Sequence, residues 1–161
     1  MAVQIREAKR DDLPLLVRLV RESFRDVADR FGLTAENCPT HPSNVTEDQL
    51  ALTMAKGVAH FILESDGEPA GCVALEPAAG DVCYLERLCV LPGFRRRGFG
   101  AALVEHVRDR ARLMGLARVE LAMIAEHDEL RRWYERKGFL AMEMRRFEHL
   151  PFMVLFMWTR A

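Results

Sequence analysis

This sequence of 161 residues lacks an excess of either charge, a long apolar run and a cluster of metal-ligand residues. Its 23 basic and 24 acidic side chains give a formal net charge of −1, which offers no bulk attraction for nucleic acid. No apolar run reaches the ~20 residues that a membrane span needs, and residues 1–6 predict the start of a strand rather than a signal peptide. We therefore expect a cytoplasmic protein whose partners include neither nucleic acid nor a membrane.

The cysteines also lack a pattern that would point to disulfides or zinc. The sequence contains four cysteines and no Cys-x-x-Cys pair. Cys72, Cys83 and Cys89 lie in apolar strand-like segments, where a cysteine behaves as a small hydrophobic residue. The segment Cys38-Pro39-Thr40-His41 has no second pair at a spacing that suits zinc. We expect reduced, structural cysteines and no metal site.

The composition suits a folded domain with a real core. Hydrophobic residues make up 50% of the chain, and the length fits one domain over residues 1–161. The apolar spacing changes several times between the period of strands and the period of helices, which predicts an α/β fold with a mixed sheet flanked by helices. Asp128 is the expected N-cap of the last helix. The predicted strands are 3–7, 58–64, 68–75, 84–90, 118–123, 139–147 and 152–159, and the predicted helices are 11–31, 46–57, 98–115 and 128–138.

The most informative segment joins an apolar strand to the start of a helix. Residues 84–90 predict the strand, Pro92-Gly93 ends it, and an apolar helical stripe follows Gly100. Gly98 and Gly100 leave the amide groups of the first helical turn uncovered, where the helix dipole is positive. Three neighbouring arginines add positive charge. This segment therefore predicts an anion-binding turn that suits a phosphate.

Two common phosphate-binding patterns are incomplete here. No Gly-x-x-x-x-Gly-Lys-Ser/Thr occurs, and the dinucleotide pattern lacks its third glycine and a second strand with an acidic end. What remains is Arg-x-x-Gly-x-Gly, from Arg95 to Gly100. A later segment, Leu130 to Phe139, predicts a helix that carries Tyr134 and closes on Gly138. In this order and spacing, the two segments resemble the signatures of the GNAT superfamily of acetyl-coenzyme A-dependent N-acetyltransferases.

The resemblance covers roughly the C-terminal half of the chain and implies a fold and a cofactor. The fold would be a GNAT-like mixed, mostly antiparallel sheet flanked by helices, with a splayed strand pair that holds acetyl-CoA, the acetyl-donor cosubstrate. The strand backbone would run beside the pantetheine amides, and the turn would hold the pyrophosphate, largely through main-chain groups. An alternative for the arginines is a solvated surface run. The cofactor-binding residues implied are Leu88, Cys89, Val90, Arg95, Arg96, Arg97, Gly98, Phe99, Gly100 and Ala101.

Two side chains are candidates for the chemistry of acetyl transfer. The acceptor amine must be uncharged when it attacks, and Glu86, in the middle of an apolar strand, is the candidate base or substrate contact. Its structural alternative is a salt bridge with Arg87 or a helix arginine. Tyr134 matches the position of the family's general acid, which protonates the departing thiolate. Its alternative is an aromatic core residue.

His127 marks a departure from the family pattern, which often has an asparagine seven residues before the tyrosine. His127 could make the same hydrogen bond on the cofactor side, and it is included among the candidate cofactor-binding residues. It could also titrate near neutrality. A histidine in a surface loop is the favoured interpretation.

The sequence therefore predicts an enzyme that moves an acetyl group from acetyl-CoA to a primary amine by direct attack. The amine-bearing acceptor is a small molecule or a protein, and a homodimer is left open. A catalytically silent acyl-CoA-binding or sensor module is the alternative, and a nucleic-acid binder is the weakest of the three classes. The acceptor side would be built from the first two helices, the 37–44 loop and the last hairpin. Its acidic candidates for attracting an amine are Glu22, Asp26, Glu47 and Glu76, which could equally be solvated residues on helix faces.

Overall fold

The fold is a seven-stranded sheet in a computed structural model that describes residues 2–161. The strands are β1 (Val3–Glu7), β2 (Ala59–Ser65), β3 (Glu68–Pro77), β4 (Val82–Val90), β5 (Arg118–Ile124), β6 (Leu140–Arg146) and β7 (Met153–Arg160). Their order in the sheet is β1-β2-β3-β4-β5-β7-β6. All neighbouring pairs are antiparallel except β4 and β5, which are parallel. The expected mixed, mostly antiparallel sheet is thus confirmed.

Four α-helices flank this sheet. They are α1 (Leu13–Arg30), α2 (Glu47–Ala55), α3 (Phe99–Leu113) and α4 (Asp128–Arg136). Within residues 2–161, no helix combines the length and the apolar character that crossing a membrane requires. The same part of the chain holds no group of three histidine, cysteine or acidic side chains arranged to bind a metal ion.

Local signals explain several element boundaries. Thr46 caps α2 by accepting a hydrogen bond from the Gln49 amide, and the Gln49 side chain accepts one from the Thr46 amide in return. Asp66 and Gly67 both have positive φ values, 51° and 83°, as a two-residue turn between β2 and β3 requires. The predicted capping box and the predicted hairpin are both confirmed.

The prediction that Asp128 caps the last helix is wrong. His127 is the N-cap, with a non-helical ψ of 76°, and its Nδ1 accepts a hydrogen bond from the Leu130 amide at 3.3 Å. Asp128 is already the first residue of α4. The imidazole supplies the acceptor that an aspartate normally provides at this position.

The core forms on both faces of the sheet. We call these the α3 face, which packs against α3 and α4, and the α1 face, which packs against α1 and α2. Side chains alternate between them along each strand, so that Ile62 lies on the α1 face and its neighbours Phe61 and Leu63 lie on the α3 face. The fully buried side chains include Phe61, Leu63, Leu103 and Phe139 in the α3-face cluster and Leu16, Leu19, Leu50 and Ile62 in the α1-face cluster.

The functional part of the fold is the place where β4 and β5 separate. The two strands pair only from Val82 to Tyr84, opposite Arg118 to Glu120. Beyond Tyr84, β4 keeps β3 on one edge and has no strand on the other edge within the described chain. This is the splayed strand pair that the resemblance implies. It opens a gap in the middle of an otherwise continuous sheet.

Candidate active site

The gap between β4 and β5 belongs to a cleft of about 1280 Å³. The cleft is lined by both separating strands, by the start of α3, by α4 and by one side of α1. The cleft therefore extends from one face of the sheet to the other through the gap between β4 and β5. Two molecules that enter from opposite faces could meet between the strands.

The turn before α3 presents free backbone donors to the cleft. Gly98 precedes the helix in a left-handed conformation, with φ of 80°. The amides of residues 96–101 donate to no backbone or side-chain acceptor among residues 2–161. Amides at a helix start, where the dipole is positive, form an anion-binding site, and a pyrophosphate fits this chemistry.

The two glycines of the turn have different structural reasons. Gly98 is needed for its positive φ, since a Cβ there would have open space around it. Gly100 is needed for packing, because a Cβ there would lie 3.1 Å from the Trp133 ring. The sequence prediction explained both glycines by the approach of a phosphate. The second one instead allows α4 to pack close to the start of α3.

The three arginines of the turn have separate roles. The Arg95 guanidinium pairs with Asp26 of α1 at 2.6 Å and also donates to the carbonyl groups of Ser23 and Val90, at 2.8 Å and 3.1 Å. Arg97 lies over the Phe94 ring and does not line the cleft. Arg96 is exposed, lines the cleft and has no ion-pair partner in the described structure. Arg95 therefore fixes the turn to α1, and Arg96 is the side chain best placed to add charge.

Leu88, Cys89 and Val90 form the free edge of β4 at the cleft. Cys89 pairs with Cys72 of β3, and its side chain is buried in the α1-face cluster. Its Sγ lies 3.3 Å from the Cys72 Sγ, and it donates to the Leu19 carbonyl at 3.7 Å. The Cys89 thiol is thus buried under α1, and this residue can offer only its backbone to a cofactor.

Phe99 and Ala101 also contribute to the turn through their backbone amides rather than through their side chains. The Phe99 ring is buried in the α3-face cluster, whereas its amide is one of the free donors of the turn. Ala101 is half-buried and lines the cleft with its small side chain. Neither side chain could replace the main chain in binding an anion.

Glu86 lies in the cleft on the α1 face of the sheet. It pairs with Ala74 in β3, two residues from Cys72, which belongs to the α1-face cluster. Burial and the neighbouring carboxyl group of Glu76 raise the pKa of Glu86 to about 7, and the Arg87 cation acts in the opposite direction. The Glu86 carboxyl can therefore exchange a proton at neutral pH. The ion pair with Arg87, which is the structural alternative for Glu86, is also present, at 3.6 Å.

Tyr134 enters the same cleft from α4. Its ring is buried, 6% exposed, and makes edge contacts with the rings of Trp133 and Phe139 at centroid distances of 5.2 Å and 5.3 Å. Burial raises the pKa of the Tyr134 hydroxyl above its usual range, so the hydroxyl stays protonated at neutral pH. Tyr134 is thus a core aromatic residue that carries a protonated hydroxyl and lines the cleft.

His127 also lines the cleft, but one of its ring nitrogens is already used. Nδ1 caps α4, and the ring lies 5.5 Å from the Phe31 ring of α1. Burial and the nearby Arg30 cation lower the pKa of His127, which keeps the imidazole neutral. Only Nε2 remains for a ligand.

The α1 side of the cleft has an aromatic and apolar wall. Phe24 comes from α1, and Phe152 and Phe156 come from the last hairpin and β7. Thr40 to Pro42 of the predicted loop complete the rim. Among the acidic candidates for this side, Asp26 and Glu76 line the cleft, while Glu22 and Glu47 do not. Asp26 is occupied by Arg95.

Sequence reasoning missed the residues whose importance depends on neighbours distant in sequence. Glu76 was considered only as a general attraction for an amine, and its position beside Glu86 follows from the β3–β4 register. For Arg87 the sequence suggests only a salt bridge. Trp133 falls within the helix signature, and its packing against Gly100 does not follow from that pattern. The signal available for Arg87 was a charged residue next to Glu86 in an apolar strand.

Comparisons with known proteins agree with this geometry. The "Acetyltransferase (GNAT) family" model matches residues 18–139. An uncharacterized N-acetyltransferase of Escherichia coli K12, YjgM, is 29% identical over 131 residues, which are 80% of this chain and 76% of that protein. The PaiA N-acetyltransferase of Thermoplasma acidophilum, solved with coenzyme A, superposes with a TM-score of 0.82 at 16% identity, with all of both chains covered.

A third comparison shows the same fold in an enzyme with a known acceptor. The ribosomal-protein-S18-alanine N-acetyltransferase of Escherichia coli superposes with a TM-score of 0.79 at 21% identity, covering 99% of this chain and 94% of that chain. Acetyl-CoA is the acetyl donor in the matched family, and the cleft offers the anion-binding turn and splayed strands that such a donor needs. The chain belongs to the GNAT family of acetyltransferases.

Proposed function

We propose that this protein transfers the acetyl group of acetyl-CoA to a primary amine by direct attack. The observation that supports this most strongly is that Glu86 and Tyr134 line one cleft between the splayed strands, although they come from β4 and α4. The turn at the start of α3 would anchor the pyrophosphate. The backbone of residues 88–90 would lie beside the pantetheine arm, so the thioester would reach the gap.

Glu86 would prepare the acceptor. A primary amine has a pKa near ~10 and is mostly protonated at neutral pH, so it must lose a proton before it can attack. The Glu86 carboxylate would take that proton, directly or through a water molecule, because its pKa of about 7 suits a base at this pH. The nitrogen lone pair then attacks the thioester carbon, and a carbon–nitrogen bond forms.

Tyr134 would assist the leaving group. When the tetrahedral intermediate collapses, the carbon–sulfur bond breaks and the sulfur takes the electron pair. The Tyr134 hydroxyl would donate its proton to this thiolate, and the products are coenzyme A and an amide. The attacking nitrogen, which becomes positively charged when the carbon–nitrogen bond forms, loses its extra proton to solvent, and the tyrosinate recovers a proton from solvent. Burial of the ring holds the hydroxyl in one place and keeps it protonated before the step.

Direct attack is favoured over an acetyl-cysteine intermediate. Cys89 is the cysteine nearest to the predicted path of the pantetheine arm, and its thiol is directed at Cys72 and Leu19 under α1. A covalent route would need this thiol to leave these contacts and turn toward the gap between β4 and β5. The silent binding module is the less favoured alternative, since it would need neither Glu86 nor Tyr134 in the cleft.

The test is a panel of amines incubated with acetyl-CoA and the protein, with release of the free thiol followed over time. The panel includes amino acids, peptides with a free N-terminus, diamines, arylamines and aminoglycosides. We expect at least one amine to accelerate thiol release well above the rate without amine, together with an acetylated product in the mass spectrum. Calorimetric binding of coenzyme A without transfer to any amine would support the silent module.

A further inference from the structure

Arg87 is placed unusually for a charged residue in a central strand. The β3–β4 ladder shifts register between Cys72 and Ala74, and Arg87 adopts a positive φ of 49° at this bulge in β4. A bulge can redirect a side chain that would otherwise face the opposite side of the sheet. Its guanidinium reaches Glu86 at 3.6 Å, and its charge acts on His60 and Cys72 of the α1 face. Consecutive residues of a strand normally face opposite sides of the sheet, but the charged groups of Arg87 and Glu86 thus lie on the same side of the cleft.

The guanidinium of Arg87 lacks hydrogen-bond partners. Its Nε and Nη2 are enclosed and have no acceptor within residues 2–161. Nη1 lies 3.6 Å from the Glu86 Oε2, which is an ion-pair distance but too long for a good hydrogen bond. An enclosed cation with so little compensation is costly, and such a group calls for an explanation.

Apart from Glu86, no acidic side chain within residues 2–161 lies at ion-pair distance from Arg87. His60 is buried, and burial together with the Arg87 cation lowers the pKa of His60 to about 4, so it is neutral. Glu86 is the one acid paired with Arg87 in the described structure, and that carboxyl is also the candidate base. Three other arginines that line the cleft are each paired with an acid: Arg30 with Glu129, Arg95 with Asp26 and Arg145 with Glu143.

A carboxylate is the chemistry that would compensate a guanidinium best, because the two match in shape and charge. The position of Arg87 beside Glu86 also limits where that carboxylate can be on the acceptor. The amine must reach Glu86 while the carboxylate reaches Arg87, and these two groups are only 3.6 Å apart. An α-amino acid fits this requirement, since its amine and carboxylate are attached to the same carbon.

We propose that the acceptor is a free α-amino acid, whose carboxylate binds Arg87 and whose amine is presented to Glu86. This inference rests on the proposed acetyl transfer and specifies the acceptor. The aromatic wall of Phe24, Phe152 and Phe156 would then face the amino-acid side chain. A peptide N-terminus or a diamine lacks the carboxylate beside its amine and would leave Arg87 uncompensated.

The first experiment compares matched acceptors with the unaltered protein. L-amino acids with small, apolar, acidic and basic side chains are each compared with their carboxamides and with an ω-amino acid of equal carbon number. We expect kcat/KM for the best amino acid to exceed that of its carboxamide by about tenfold or more. The carboxamide amine is the less basic of the two, so amine ionisation alone would favour the carboxamide.

The second experiment tests whether Arg87 causes this preference. In Arg87→Gln, the ratio of amino-acid to carboxamide kcat/KM should fall close to one, and Arg87→Lys should restore part of it. Arg18→Gln, at an exposed arginine of α1 outside the cleft, should keep the parental ratio. Coenzyme A binding and thermal unfolding show whether each variant is folded. If Arg87→Gln is not folded, the amino-acid to carboxamide ratio of the unaltered protein decides whether the acceptor is an amino acid.

The outcomes separate this inference from the proposed function. Acetylation of peptides or diamines in preference to every amino acid would overturn the amino-acid proposal and leave acetyl transfer intact. A parental ratio near one, or an unchanged ratio in a folded Arg87→Gln, would also overturn it. Failure to acetylate any amine of either panel, with coenzyme A bound, would contradict the proposed function itself.

Discussion

Glu76 and Glu86 lie close together because of the register between two antiparallel strands. Glu76 pairs with Tyr84 and Ala74 pairs with Glu86, which places the two acids diagonally on the α1 face. A second carboxyl group nearby disfavours ionisation of the first, and burial acts in the same direction. The pair therefore provides a carboxyl that releases its proton only near neutrality.

This arrangement predicts a pH dependence. The base must be ionised, so kcat at saturating acceptor should fall as the pH drops through about 7, the raised pKa of Glu86. Glu76→Gln should move this midpoint to lower pH, because it removes a neighbour that raises the Glu86 pKa. Glu86→Gln should reduce kcat by about 10²-fold, a typical contribution of a general base. A pH profile unchanged in Glu76→Gln would contradict the coupling of the two acids.

Tyr134 should act on the chemical step rather than on binding. Tyr134→Phe keeps the ring contacts with Trp133 and Phe139 and removes only the hydroxyl. Since the thiolate charge develops only in the transition state, we expect kcat to fall by about 10²-fold, or roughly tenfold if the thiolate leaves easily, with coenzyme A affinity nearly unchanged. Tyr84→Phe, at the other tyrosine of the chain, should have little effect on kcat.

The role of Tyr134 would be wrong if Tyr134→Phe turned over at the parental rate while chemistry limits the reaction. Presteady-state kinetics establish which step is limiting. Tyr134 would then be a core aromatic residue alone, as its burial in the α3-face cluster would allow.

At the residue scale, the sequence indicated which residues are candidates for the site better than it indicated which groups surround them. Glu86 and Tyr134 could be singled out because one is an acid in an apolar strand and the other falls in a family signature. The Arg95 side chain could not be placed, because its partner Asp26 lies 69 residues away. The raised pKa of Glu86 likewise depends on Glu76, which only the register of β3 and β4 brings near.

At the scale of elements, the glycines at the start of α3 offer a graded test. Gly100→Ala would place a Cβ 3.1 Å from the Trp133 ring, so the ring must move by a few tenths of an ångström. Gly98→Ala would impose a positive φ of 80° on alanine, at a cost of about 1 kcal/mol. Gly93→Ala is the matched control, since its Cβ would be in open space and its φ is not positive.

We expect Gly100→Ala and Gly98→Ala each to weaken coenzyme A binding and to lower the free energy of unfolding by about 1 kcal/mol or more. Gly93→Ala should change neither by more than about 0.5 kcal/mol. Isothermal titration calorimetry and urea unfolding measure the two effects. Parental coenzyme A affinity in both Gly98→Ala and Gly100→Ala would show that the turn is not the binding site.

Most elements could be predicted because their signals are local. The Asp66-Gly67 turn and the Thr46 capping box need only a few neighbouring residues. The N-cap at His127 was missed because aspartate is the more usual cap, and the sequence offered one at the next position. The bulge at Arg87 could not be predicted from the sequence, because it depends on the register with which β4 pairs with β3.

At the scale of the whole molecule, the splayed sheet predicts a stabilising effect of coenzyme A. The free edge of β4 beyond Tyr84 and the free amides of the turn would gain partners when coenzyme A binds. At a free concentration of 100 times Kd, a ligand stabilises the native state by about 2.7 kcal/mol. For a chain of this length, that corresponds to an increase in Tm of roughly 5–10 °C, measurable by differential scanning fluorimetry.

Dephospho-coenzyme A and adenosine are useful comparisons in the same experiment. Dephospho-coenzyme A retains the pyrophosphate and the pantetheine arm and should keep much of the shift, whereas adenosine lacks both and should give almost none. An absence of any shift at saturating coenzyme A would be evidence against the assigned cleft.

The overall fold could be predicted from two signatures in the C-terminal half of the sequence. The acceptor side could not be predicted from them. The cofactor half is recognisable because backbone geometry at the turn restricts which residues can occupy it. The proposed acceptor side is lined by α1, the 40–42 segment and the last hairpin, which are distant in sequence and share no common pattern. The arrangement of charges proposed to bind the acceptor depends on how the fold brings Arg87, Glu86 and Glu76 together.

The central claim, transfer of acetyl to an amine by direct attack, is tested most directly by initial velocities measured while acetyl-CoA and the best acceptor are both varied. The account predicts intersecting double-reciprocal lines, one free thiol for each amide formed, and no acetylated protein when the amine is left out. Parallel lines together with an acetylated protein would contradict direct attack. Thiol release that no amine accelerates, in a protein that binds acetyl-CoA, would contradict acetyl transfer altogether.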